Sequence, residues 1–447
     1  MTNLIFSFDT EDYINEYGAE GVWNSARVLK EEGVKGCFQV AGWMAEALKA
    51  WGRQDIIDIL KESHEVDFHA RRHSWHPTIN EYTDRADYWG AYRDFVTDES
   101  LGMEALKETF GVESFASACP PGNSVSYVAH YAYADMGFPV YAGDLVIDDV
   151  RSRPIRCCNI LCTNYDFCVD RFFIQATEED LKGLVELAAK RDTFVVYHHP
   201  HKSFVKHHCD DDNLKGKNTP RENWIISEAF TKEESTTFFQ NFKRFVQLVK
   251  ADPRFRITTF GELAKQHSSR RELTLDQLGQ LRSQLEEKWF PVTLPDSYCL
   301  SDVFLACRQM LLGGKSHVCG KVYGFLDTPY AITEPVTLKK RHMIASAKWM
   351  NVDGFLPEYI YVDDQKIGPA DWLRAAMAFL LEDVEEYTLM PGAWQIDLDQ
   401  FPMLRDLNCK NTWVHCDSFE DKYLSHRLRL QSWTMRLQKG TPRLIKE

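Results

Sequence analysis

Two short apolar runs, each breaking off into ionisable side chains, constrain this chain more than anything else in it. The first, Leu4-Ile5-Phe6-Ser7-Phe8, runs into Asp9-Thr10-Glu11-Asp12, and the second, Thr193-Phe194-Val195-Val196-Tyr197, runs into His198-His199-Pro200-His201. Buried strands read as runs of this kind, and charged groups at their carboxyl ends are costly unless they bind something. In barrels and open α/β sheets that end of a strand is where chemistry sits. Between the runs the pattern alternates. A helical stretch at 22–32 precedes a strand-like 35–40, 179–190 precedes the second run, and Lys232–Ala251 precedes Phe255-Arg256-Ile257. Such alternation predicts an α/β domain with a largely parallel sheet, and closure into a barrel gathers the strand ends together.

The segment His64-Glu65-Val66-Asp67-Phe68-His69-Ala70-Arg71-Arg72-His73-Ser74-Trp75-His76-Pro77 holds four of the chain's 15 histidines. If it turns helical after its strand, His69 and His73 share a face. Two imidazoles and one carboxylate leave open positions on a divalent ion, as a hydrolytic site requires. Histidines four apart also occur on exposed helices without function, and acids after a strand can be a solvated turn. His76 competes as a ligand, and Asp12 competes with Glu11. Pro77 marks the close of the turn. Cys119-Pro120-Pro121-Gly122 is a rigid loop whose plainest reading is a tight turn.

In this order the pieces resemble the polysaccharide deacetylases of the NodB-homology class, carbohydrate esterase family four, over residues 1–266. The resemblance implies a distorted (β/α) barrel of about seven strands. It implies Asp9 as catalytic base, Glu11, His69 and His73 as metal ligands, and Asp144 and His199 as further catalytic residues. Pro121, Gly122, Tyr197 and His198 fall on the substrate side. Phe255 to Leu263 resembles the strand and helix that close such domains. The implied reaction is hydrolysis of an N-acyl group on an amino sugar or other carbohydrate by water activated on a divalent ion, Zn²⁺ by the donor set. Cys119 stands where the family carries an arginine that orients the base, and Arg71 or Arg72 could supply that guanidinium from another loop. A degenerate glycan-binding protein, a hydrolase of another non-peptide C–N bond, and a Cys119 nucleophile are the competing readings.

Composition narrows the field. A formal charge of −14 and a pI near 5.6 argue against nucleic acid as a partner. No apolar run reaches the roughly 18 residues of a membrane span. Acids arrive by position nine, so no secretory leader is expected, and the 12 cysteines form no zinc-ribbon pairs and suit a reducing cytoplasm. The polar stretch His207-His208-Cys209-Asp210-Asp211-Asp212 reads as a flexible loop on the substrate side.

Residues 267–290 are charged and helix-prone and read as a connecting helix. Residues 291–447 read as a smaller, mainly helical C-terminal domain. There, Leu356 to Val362 followed by Ile367-Gly368-Pro369-Ala370-Asp371-Trp372-Leu373 is similar to pseudomurein-binding repeats, a short β-element and an amphipathic helix. That resemblance implies contact with a cell-wall glycan.

Overall fold

The computed structural model describes residues 1–143, 151–268, 271–287, 298–392 and 415–436. Two compact units emerge: Met1–Pro154 with Ile160–His267 and Arg405–Leu424, and Ile155–Asn159 with Ser268–Leu404 and Ser425–Glu447.

Among the described residues the first unit is built on nine strands: β1 (Thr2–Thr10), β2 (Cys37–Val40), β3 (Glu65–Phe68), β4 (Ser117–Ala118), β5 (Val140–Gly143), β6 (Ile160–Asn164), β7 (Phe167–Cys168), β8 (Thr193–His198) and β9 (Phe255–Ile257). They pair in the order β6-β5-β4-β3-β2-β1-β8-β7, and every pairing is parallel. One edge of β1 is shared. Ser7 to Thr10 pair with β2, whereas Thr2 to Leu4 pair with β9. The sheet therefore curls around β1 into the distorted half-barrel of an α/β architecture.

β1 is apolar on both faces and buried almost throughout, as a central parallel strand must be. Phe8 stacks on Phe38 at 4.5 Å, and Phe6 meets Phe242 and Phe245 edge-on. Each such fully buried ring contributes roughly 1.5–3 kcal/mol. The covering helices are capped by their own sequence. Thr177 with Asp180 and Thr231 with Glu234 form reciprocal boxes at the starts of Glu178–Ala188 and Lys232–Ala251.

One glycine sets the position of the second ionisable cluster. Gly21, in helix Ala19–Glu31, faces the turn Pro200–Ser203, and a Cβ there would lie 1.8 Å from the Pro200 carbonyl oxygen. That turn follows directly on His199. Gly21→Ala is expected to destabilise the protein by about 1–3 kcal/mol or more through overpacking. Denaturant unfolding checks this, and an unchanged midpoint would show that the turn yields freely.

The second unit packs Phe304, Trp372, Phe325 and Trp433 at the centre of its own core. Helix Leu275–Glu287 puts Leu278, Leu281 and Leu285 into that core. Buried Asp302 is held by Arg271 and Arg436. Strands Ile360–Val362 and Gln365–Ile367 form a hairpin leading into helix Pro369–Leu381. Among the described residues no helix is long and apolar enough to cross a membrane.

Candidate metal and catalytic site

Ionisable residues gather at the carboxyl ends of the first unit's strands. Side chains alternate along a strand, so Ser7, Asp9 and Glu11 share one face of β1 and its continuation. His69 directly follows β3, Cys119 follows β4 and His199 follows β8, while Tyr165 lies between β6 and β7. They meet in a cleft of about 290 Å³ lined by Asp9, Glu11, His69, His73, Tyr165 and His199, with Cys119, Pro120, Gly122 and Tyr197 completing its wall.

Glu11 is the centre of the arrangement. His69 Nε2 and His73 Nε2 each lie 2.7 Å from Glu11 Oε2. The outer nitrogens of both rings are committed elsewhere. His69 Nδ1 is 2.6 Å from the Cys119 carbonyl oxygen and must donate to it, and His73 Nδ1 is 2.8 Å from Asp210 Oδ2. Neutral imidazoles so anchored turn lone pairs toward a carboxylate, which is repulsive without shared positive charge. A divalent cation supplies that charge, and one carboxylate with two imidazoles anchored by outer-sphere acceptors is a donor set that fits it. Protons are the alternative source. Burial opposes the charged form of His73, yet Asp210 and Glu11 push it up to about 10. Burial would raise Glu11, but His73, His208 and His199 hold it well below the usual carboxylate range.

The segment after β3 does not turn helical, because Ala70 and His73 adopt left-handed φ values of 56° and 50°. The chain loops back instead, and the two rings converge at 4.9 Å between centroids. His76 is not part of the cleft. Its Nδ1 sits 2.9 Å from Glu81 Oε2 and its Nε2 2.9 Å from the Leu214 carbonyl. Asp12 is likewise structural, since its Oδ1 accepts the amides of Ile14 and Asn15.

Asp9 is buried, and desolvation raises its pKa against the opposing pull of His69 and His199. The Tyr165 hydroxyl donates to Asp9 Oδ1 at 2.9 Å and lies 2.8 Å from Ser7 Oγ. Tyr165 thus holds Asp9. Arg71 and Arg72 do not, because both pair with Asp98. Tyr165→Phe is expected to lower kcat up to about tenfold, the worth of one net hydrogen bond, with KM nearly unchanged. A rise in KM with kcat intact would assign Tyr165 to substrate instead.

His199 Nε2 faces the cleft, 3.8 Å from Asp9 Oδ2. Its Nδ1 is 2.7 Å from Asp170 Oδ2, and its backbone amide donates to Asp170 Oδ1. Burial disfavours the cation, but Asp170 and Glu11 raise His199 well above its ordinary value. His198 turns the other way, with its ring stacked on Phe238 at 4.6 Å and Nδ1 on Asp170 Oδ1. Pro120 and Gly122 line the cleft, and Pro121 begins the short turn between them. Asp144 lies outside the described residues.

Four residues here carried no recognisable code in the sequence: Tyr165, Asp170, His208 and Asp210. The only available signal was the density of histidine and aspartate at 207–212. That stretch is not a loose loop. His208, Cys209 and Asp210 are buried, and helix Cys209–Asn213 fixes them.

The fold and the cleft together define the class, an α/β half-barrel with a carboxylate–imidazole centre at its strand ends. No family model matches this sequence, and no curated protein does. Similar solved structures include a putative polysaccharide deacetylase from Mycobacterium smegmatis, 16% identical over 59% of this chain and 90% of that one, with a TM-score of 0.39. A probable polysaccharide deacetylase from Pseudomonas aeruginosa PAO1 is 11% identical over 59% and 90%, at 0.39. A 4-alpha-glucanotransferase from Thermococcus litoralis is 10% identical over 70% of this chain and 52% of that one, at 0.41. Likenesses this remote carry no argument about chemistry.

Proposed function

We propose that the first unit is a metal-dependent hydrolase that removes an N-acyl group, acetyl in the simplest case, from an amino sugar or polysaccharide. The observation that supports it is the convergence of Glu11, His69 and His73, beside a separately held carboxylate, Asp9, and a separately held imidazole, His199. Glu11, His69 and His73 would hold a divalent ion, for which Zn²⁺ suits the donors. Such an ion acts as a Lewis acid toward the acyl carbonyl and the attacking water. Asp9, fixed by Tyr165, takes the proton of that water as it attacks. His199, kept cationic by Asp170, gives a proton to the departing amine, which leaves poorly as an anion. The wall at Pro120 and Gly122 and the ring of Tyr197 orient the sugar. Acetate release from N-acetylated oligosaccharides by the metal-loaded protein, abolished by chelation and restored by Zn²⁺ or Co²⁺, tests the reading. Metal-loaded protein that binds such sugars without turnover would instead favour the degenerate glycan-binding protein. Release from non-sugar amides alone would favour a hydrolase of another C–N bond.

A glycan-contact role for the second unit follows a separate observation. Trp349, Tyr359 and Tyr361 are exposed and line a groove of about 450 Å³ with His342, Asn351 and Asp363. Loss of glycan retention in Trp349→Ala checks it.

A further inference from the structure

We infer that Cys168, Asp170 and His199 form a second divalent-cation site at the rim of the cleft, where a bound ion stops turnover. The site stands on these three side chains, and its effect on turnover rests on the hydrolase reading above. One ligand atom from each lies within 4.8 Å of the other two. Thiolate, imidazole and carboxylate together are a donor set that suits Zn²⁺ and softer ions. The sheet brings them together, because Cys168 ends β7 and pairs in register with Tyr197 of β8. Residues in register send their side chains to the same side, so Cys168 follows Tyr197 and, two positions on, His199. Cys168 is the exposed thiol among the described cysteines, and the side chains of Asp170 and His199 are 16% and 20% exposed, so an ion reaches all three from solvent.

The ring of His199 separates this site from the first. Its Nε2 faces Asp9 Oδ2 and Glu11 Oε1 at 3.8 and 4.0 Å, whereas its Nδ1 is 2.7 Å from Asp170 Oδ2. Asp170 Oδ1 stays committed to the His199 amide and to His198 Nδ1, which holds the carboxylate in place and leaves Oδ2 for the ion. Ligand atoms around tetrahedral zinc stand about 3.3–3.6 Å apart, given bonds of about 2.0–2.3 Å. The ion therefore takes the place of the proton between Oδ2 and Nδ1 with a small parting of those two atoms, and the exposed thiol turns in as third ligand. Two protons leave to solvent, one from the thiol and one from Nδ1. An imidazole metallated at Nδ1 holds its Nε2 proton far more tightly than an imidazolium does. His199 then no longer acts as an acid toward the departing amine.

Cobalt titration of the full-length protein tests this, read by elemental stoichiometry and by the thiolate-to-cobalt charge-transfer band in the near ultraviolet. Two ions per chain are expected, the weaker one bringing the band. Cys168→Ser should lose the band, and its affinity for the weaker ion should fall by more than the roughly 10–100-fold that follows loss of an outer-sphere partner. Excess Zn²⁺ should inhibit acetate release by the wild type and leave Cys168→Ser, loaded with its first ion, unaffected. One ion per chain with no band would overturn the inference and leave the hydrolase reading intact. A band kept in Cys168→Ser and lost in Cys119→Ser would overturn it as well, by placing the thiolate ligand in the cleft wall. A band lost in Cys168→Ser, from wild-type protein that releases no acetate, would uphold the site and sink the hydrolase reading. No bound metal in the wild type would sink both.

Discussion

Asp9→Asn is expected to bind metal as well as the wild type while losing turnover by about 10²–10⁴-fold, the usual worth of a positioned proton acceptor. The substitution keeps the size of the side chain and an oxygen for the Tyr165 hydroxyl, which donates to Oδ1 at 2.9 Å. It removes the ability to take a proton. The 2.7 Å contacts of His69 and His73 run to Glu11 and not to Asp9, so metal content measured by elemental mass spectrometry should be unchanged. Because Asp9 is buried and its ionisation opposed by desolvation, a neutral amide there should not lower the melting temperature. Activity within about threefold of wild type would remove Asp9 from the base role and leave Glu11 or a bound hydroxide to fill it.

His69→Ala has the complementary signature, in which metal and activity are lost together. The ring bridges Glu11 Oε2 on one side and the Cys119 carbonyl on the other, so its loss removes a donor and unties the loop that forms the opposite wall. The expected fall in metal affinity exceeds the roughly 10–100-fold seen for outer-sphere partners. The variant also takes a close imidazole partner from buried Glu11 and from the Cys119 carbonyl, so its stability should fall when metal is withheld. Elemental analysis beside thermal unfolding with and without added Zn²⁺ separates the two effects. Full metal occupancy in His69→Ala would show that the ion, where bound, lies elsewhere.

The order of strands and helices was legible because the signals are local. β1 carries apolar residues on both faces, and Lys232–Ala251 begins at a Thr-x-x-Glu cap and runs for 20 residues in one amphipathic pattern. Asp9, Glu11, His69, His73 and His199 could be picked out as candidates because each follows a recognisable strand. What could not be read was the set of groups that hold them. Asp170 reaches His199 across 29 positions, Tyr165 reaches Asp9 across 156, and Asp210 lies 136 beyond Ser74. No periodicity spans such distances. The path of the chain after His69 was hidden for a related reason. Histidines four apart fit a helix equally well, and only the left-handed backbone at Ala70 and His73 shows that the chain doubles back.

The sequence by itself determined a parallel α/β domain with acids and histidines at its strand ends, since period, length and burial are properties of neighbouring residues. The tertiary structure alone decided which of those groups face one another. It turned His198 onto Phe238 and His199 into the cleft, though the two are adjacent in the chain. It set the Tyr165 hydroxyl against Asp9 and brought His208 to Glu11 from a stretch that reads as loop. The physical reason is that a pleated strand sends successive side chains to opposite faces. Contacts between distant segments then follow from how the sheet curls, which no local pattern encodes.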